Sequence, residues 1–132
     1  MPAWLLQVRT GGGKTMANLK ARFKLWLNTK EAKGAFGDGK WRLLKAIETG
    51  GSLRAASEML NISYRKAWGD LQKAQKALNT ALVEKRRGGS KGGETFLTGE
   101  GKKWLRAYTD FRSDIEKAVK KAGQRHFKGL VK

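Results

Sequence analysis

The stretch from Gly50 to Trp68 constrains this chain more than any other. It reads as a helix, a tight turn and a second helix. Gly50 and Gly51 offer a helix stop, because glycine takes the left-handed C-cap conformation cheaply. Ser52 can cap a following helix, with Leu53, Ala56, Met59 and Leu60 predicted to face inward. Asn61 and Ile62 supply a turn, since Asn tolerates a positive φ, and Ile62 is placed to plug the gap between helices. Ser63 then caps a third segment that runs to about Leu78, with Ala67, Trp68, Leu71, Ala74 and Leu78 near one helical stripe.

On either side the chain extends this plan. Residues 21–27 alternate, with Phe23, Leu25 and Leu27 opposite Arg22 and Lys24, which predicts a strand with one buried face. Gly34, Gly37, Asp38 and Gly39 read as a loop, Asp38 as an N-cap, and Lys40–Thr49 as a helix with Trp41, Leu43, Leu44 and Ile47 on its apolar face. Beyond Leu78, residues 81–86 and 94–97 form the arms of a β-hairpin around the basic, glycine-rich tip 87–93. Thr98 caps a last helix, over about 99–122. Trp104, Tyr108, Phe111 and Ile115 recur in it at steps of four, three and four, the seam of a helix that packs on another helix. Trp41, Trp68 and Phe96 fall on apolar faces and are expected in the core.

The predicted fold class is therefore mainly α with a small β hairpin: a winged helix-turn-helix with a long C-terminal helix. Residues 1–19 are expected to be a flexible leader, 20–122 the domain and 123–132 a frayed basic tail. Within the leader, Gly11-Gly12-Gly13-Lys14-Thr15 imitates the end of a phosphate-binding loop. The pattern needs a glycine where Val8 stands, and no strand of useful length precedes it, so it is set aside.

Composition narrows the function. The chain has 132 residues, 29 Lys plus Arg and 11 Asp plus Glu, for a formal charge of +18. Such an excess opposes compaction and favours a polyanionic partner. There is no cysteine and a single histidine, His126, so neither a disulfide framework nor a Cys- or His-based metal site is expected. No apolar run approaches the roughly 20 residues of a membrane span. The lone histidine and the lack of a carboxylate cluster argue against an enzyme, and no cofactor is expected.

A helix-turn-helix lays its second helix in a DNA major groove, with the first turn at the base edges. That turn carries Ser63, Tyr64, Arg65 and Lys66, and Arg65 has the geometry to reach two acceptors on a guanine. Asp70 repels phosphate or pairs with Lys66 four residues earlier. Ser52 and Lys73 are further expected contacts. So are Arg86, Arg87, Ser90 and Lys91 of the wing, residues 86–93, which can follow a sugar-phosphate backbone or enter a minor groove. From Ser63 to Gly93 there are eight basic residues against two acidic ones, Asp70 and Glu84. Trp104 can cover the winged helix, whereas Phe111 and Ile115 lie further along the seam. The seam Trp104, Tyr108, Phe111 and Ile115 is either intramolecular core or a homodimer interface, and it is assigned to the homodimer. The reading is a cytoplasmic, nucleoid-associated regulator that binds double-stranded DNA sequence-specifically as a homodimer. The alternative is an architectural protein that coats DNA through charge alone.

The motif Gly51-Ser52-Leu53, Ala55-Ala56 and Ile62-Ser63-Tyr64-Arg65-Lys66-Ala67-Trp68 resembles the N-terminal DNA-binding domain of the molybdate-responsive regulator (ModE) family. The wing Gly88–Gly93, the sequence Leu97-Thr98 followed two residues later by Gly101, and Phe36-Gly37-Asp38-Gly39-Lys40 are similar as well. LysR-type regulators are a more distant likeness. The resemblance implies a winged helix-turn-helix dimerised through its final helix, with Ser63, Tyr64, Arg65 and Lys66 in the groove. Full-length members carry a C-terminal molybdate-binding region. With the sequence ending at Lys132, no molybdate site is expected in this chain.

Overall fold

The computed structural model describes residues 19–86 and 93–130. The alternation near the start is present: Phe23, Leu25 and Leu27 are half-buried, while Arg22, Lys24 and Trp26 are exposed. The strand itself is shorter than the pattern predicted. Only Trp26–Leu27 (β1) forms a ladder, pairing antiparallel with Phe36–Gly37 (β2) in the register Trp26 to Gly37 and Leu27 to Phe36. The partner limits it, because β2 runs straight into a helix at Asp38. The segment expected to be a plain loop thus contains β2. Gly37 is required there, since a Cβ would come within 2.9 Å of the Trp26 Cβ.

Helix α1 spans Asp38–Gly50, two residues earlier than expected. Asp38 is not its N-cap. Gly37 occupies that position without a side-chain cap, and the Asp38 carboxylate is used elsewhere. Leu43, Leu44, Ala46 and Ile47 are buried. Gly51 ends the helix in the left-handed conformation, φ 77°, with its N–H donating to the Ile47 carbonyl.

Ser52 caps α2, Leu53–Met59, by accepting from the Ala55 N–H at 3.0 Å. Leu53, Ala56 and Ser57 are buried and Leu60 is half-buried. Met59, expected inside, is 54% exposed. At about 100° per residue, Leu53, Ala56, Ser57 and Leu60 share one face and Met59 lies well to its side. Asn61 takes φ 54°, and Ile62 packs partly buried against the core. Ser63 caps α3, Tyr64–Leu78, by accepting from the Lys66 N–H at 3.0 Å.

Val83–Arg86 (β3) and Glu94–Leu97 (β4) pair antiparallel in the register Val83 to Leu97 through Arg86 to Glu94. Thr95 and Leu97 are buried. Phe96, expected in the core, is turned to the opposite side of the strand and is half-buried, because neighbours in a strand alternate. Thr98 Oγ1 then accepts from the Gly101 N–H at 2.9 Å and starts α4, Gly99–Phe127. That helix passes the expected end at Ala122, so residues 123–127 are helical rather than frayed. Gln124 and Arg125 are good helix formers, and the about 1 kcal/mol cost of Gly123 is too small to stop a helix of this length.

Two compact units result. Lys24–Arg112 contains the helix-turn-helix, the hairpin and the first half of α4. Its core joins Phe36, Leu44, Ile47, Leu53, Leu71 and Leu82, each at most 2% exposed, with Tyr108. Each such burial contributes roughly 1.5–3 kcal/mol. The Phe36 ring meets Trp104 at a tilt with centroids 5.4 Å apart, and Tyr108 edge-on at 5.1 Å. The other unit comprises residues 19–23 and 113–130, in which Ala21 lies beside Gly123. This is the winged-helix architecture expected, mainly helical with two small antiparallel sheets and a long C-terminal helix.

Candidate nucleic-acid interface

Helix α3 turns Ala67, Leu71 and Ala74 into the core, and that choice leaves its first turn outside. Ser63, Tyr64, Arg65 and Lys66 are all exposed, Tyr64 at 43%. The Ser63 hydroxyl oxygen is engaged as the cap, which orients the turn. Lys66 pairs with Asp70 at 3.2 Å, as the four-residue spacing anticipated. The Lys66 side chain stays 61% exposed, so the pair is weak and a polyanion can compete for it. Lys73 is exposed on the same helix. A further cation comes from α1: Lys40 is half-buried, with its ammonium donating to the Gly34 carbonyl. Burial holds the Lys40 pKa below its ordinary value; Asp70 pulls it back up, and Lys73 and Lys66 push it further down.

The hairpin is fastened to the helix-turn-helix through Thr95. Its N–H donates to the Gly51 carbonyl at 3.0 Å, and its hydroxyl accepts from the Leu53 N–H at 3.3 Å. Ser52, the cap of α2, is half-buried between Gly51 and Leu53, the two residues that bond the hairpin. Lys85 is opposite Thr95 and so extends from the same face of the hairpin. Its Nζ donates to the Tyr64 hydroxyl at 3.2 Å and lies 4.0 Å from the centroid of the Trp68 ring. The Arg54 guanidinium approaches the Tyr64 ring at 5.8 Å. Arg86 is exposed on the outer face, with its guanidinium 4.9 Å from the Phe96 centroid. Arg87, Ser90 and Lys91 lie outside the described residues.

Tyr64, Arg65, Lys66 and Lys73 are thus gathered on α3, with Arg86 on β3. Lys85 and Arg54 join Tyr64 without having been singled out from the sequence. The strand period could have found Lys85, because it places that residue on the face of Val83, Thr95 and Leu97. Nothing local marks Arg54.

The assigned seam of α4 divides. Trp104 packs partly buried against the core and Tyr108 is 2% exposed within it. The Tyr108 hydroxyl lies 2.7 Å from Asp38 Oδ1 and 2.9 Å from the Leu25 carbonyl. Burial and the Asp38 carboxylate push its pKa well above the ordinary tyrosine value. Arg112 donates to Asp38 from Nε at 2.9 Å and Nη2 at 3.4 Å. Burial alone would raise the Asp38 pKa. Hydrogen bonds from Arg112, Tyr108 and the Leu25 N–H outweigh it and hold the carboxyl below its usual range. Phe111 remains 39% exposed and Ile115 half-buried. Among the described residues, no group of three or more His, Asp or Glu could hold a metal ion. None of the described helices is long and apolar enough to cross a membrane.

No protein-family model matches the chain. Three curated proteins are homologous to part of it. The molybdenum transport protein ModE of Azotobacter vinelandii is 31% identical over 91 residues, 69% of this chain and 34% of that protein. The transcriptional regulator ModE of Haemophilus influenzae is 37% identical over 67 residues, 51% of this chain and 26% of that protein. The molybdenum-pterin-binding protein MopB of Rhodobacter capsulatus is 34% identical over 77 residues, 58% of this chain and 28% of that protein. The matches span about a third or less of those relatives' length. In fold, the chain is similar to a mutant form of ZitR from Lactococcus lactis, with a TM-score of 0.52 at 15% identity, covering 95% of this chain and 86% of the other. The likeness to ModE-type regulators drawn from residues 36–101 is borne out by these matches, which cover 51–69% of this chain.

Proposed function

We propose that this chain is a DNA-binding transcriptional regulator that recognises a specific double-stranded sequence as a homodimer. Helix α3 enters the major groove, and the wing, residues 86–93, lies on the backbone or in the minor groove. The observation that carries the reading is the first turn of α3: Tyr64, Arg65 and Lys66 stand exposed while the opposite side of the helix is packed in the core. Arg65 reads a base edge, Lys66 and Lys73 meet phosphates, and Ser52 and Ser63 approach the backbone through their caps. The protein acts by binding alone, without catalysis. The relatives named for molybdenum supply the regulatory context of this reading.

The net charge of +18 favours a second reading, an architectural protein that coats DNA without preference. Binding titrations distinguish the two. The probes are a duplex enriched from a randomised pool and its scrambled counterpart, each at several salt concentrations. A preference of about a thousandfold or more supports the regulator. Equal, steeply salt-dependent affinities support the coating protein and overturn the first reading.

A further inference from the structure

Lys85 uses its charge inside the interface. Its ammonium is placed over α3 at two levels, against the Tyr64 hydroxyl at 3.2 Å and over the Trp68 ring at 4.0 Å. Tyr64 and Trp68 are one helical turn apart, so a single lysine spans both. The base of that lysine is fixed too. Its partner across the strand pair is Thr95, which is buried and bonded to Gly51 and Leu53.

Hydrogen-bond chemistry gives this contact a direction. An ammonium has donors and no acceptor, so the Tyr64 oxygen must accept from Lys85. The phenolic proton is then left to point away, from a ring that is 43% exposed. A hydroxyl that accepts from a cation is also a stronger donor, because the two bonds polarise one another. Arg54, 5.8 Å from the centroid of the same ring, adds positive potential near it.

We propose that Lys85 is a positioning residue for DNA recognition, one that pins the hairpin to α3 and presents the Tyr64 hydroxyl as a donor to an acceptor oxygen or nitrogen of the duplex. This rests on the reading of the chain as a DNA-binding regulator. The acceptor is a phosphate oxygen or an acceptor on a base edge, and the two differ in whether the Tyr64 contribution follows sequence.

The test is a double-mutant cycle, with Tyr64→Phe, Lys85→Met, both together, and Lys85→Arg. Affinity is measured for the enriched duplex and for single-base variants of it across a salt series, and thermal melting checks each fold. Each single change is expected to weaken binding roughly three- to tenfold, the size of one hydrogen bond. The double variant should be no weaker than the weaker single variant. The salt slope should be unchanged in Lys85→Met, and Lys85→Arg should restore most of the affinity. If Tyr64→Phe costs affinity on one base only, the acceptor is a base edge; a uniform loss identifies a phosphate. Losses that multiply, with a slope lowered by about one, would make Lys85 a phosphate contact in its own right and overturn the proposal. Unchanged affinity in both single variants overturns it as well. Wild-type protein that shows no preference for the enriched duplex would remove the underlying reading instead.

Discussion

Asp38 and Tyr108, 70 residues apart in sequence, meet at 2.7 Å and fasten the last helix to the first. Arg112 completes the arrangement one turn further along α4, with Asp38 as its ion-pair partner at 2.9 Å. The side chains of Arg112 and Asp38 are only 18% and 11% exposed, so the contact works largely out of water. Losing its central carboxylate removes the charge partner of Arg112 and one of the two acceptors beside the Tyr108 hydroxyl.

Asp38→Asn should therefore destabilise the fold by about 2–4 kcal/mol. Its pH dependence has a definite sign. The folded-state pKa of Asp38 lies below the ordinary 3.8, so its stabilisation is complete above the unfolded value and is lost as pH falls through the folded one. Urea titrations of wild type and variant across acid pH should show their difference constant near neutrality and shrinking below about pH 4. A difference that stays constant down to the lowest pH would remove Asp38 from this role.

A second stability prediction concerns Gly101, which is buried in α4 directly against the Leu82 backbone. A Cβ at Gly101 would collide with the Leu82 carbonyl, and neither the helix nor the start of the hairpin has a flexible end to give way. Gly101→Ala should cost about 1–3 kcal/mol despite the better helix propensity of alanine. Calorimetry of the two proteins decides; a higher melting temperature in the variant would show that the two elements can separate freely.

Arg65 and Lys73 are both exposed on α3 but are assigned different work. Arg65→Ala should cost about 1–3 kcal/mol on the enriched duplex and relax discrimination at one position of each half-site. Lys73→Ala should weaken all duplexes alike and lower the salt slope by about one. Fluorescence anisotropy with single-base variants of the duplex reads both effects. Full retention of affinity and specificity in Arg65→Ala would sink its assignment.

Phe111 and Ile115, four residues apart on α4, are the residues proposed for the dimer contact. Phe111 is 39% exposed and Ile115 half-buried, which leaves apolar surface on α4 for a proposed partner to cover. Replacing both with Asp should give a monomer that keeps its fold, since the core of the helix-turn-helix is elsewhere. DNA affinity should drop sharply once the second half-site no longer binds as part of the same molecule. Sedimentation of wild type and variant, free and on DNA, makes the comparison. A wild-type protein that stays monomeric in both conditions would refute the dimer.

What the sequence by itself determined is the punctuation of the fold. Gly51, Ser52, Asn61, Ser63 and Thr98 stop and start helices where their chemistry said they would, because a cap or a left-handed residue acts within three or four positions of itself. The buried stripes of α1 and α3 were legible for the same reason, being set by a regular local period. Tertiary structure decided what those elements do to one another. Asp38 looks like a helix cap in sequence, but its carboxylate is claimed by Tyr108 and Arg112 from the far end of the unit. Phe36–Gly37 became a strand because Trp26–Leu27 came alongside. Tyr108 belongs to the core rather than to a free seam, and Lys85 reaches Tyr64 across 21 residues of chain. Such pairings depend on which surfaces packing brings within hydrogen-bond reach, and no short-range pattern of residues encodes that distance.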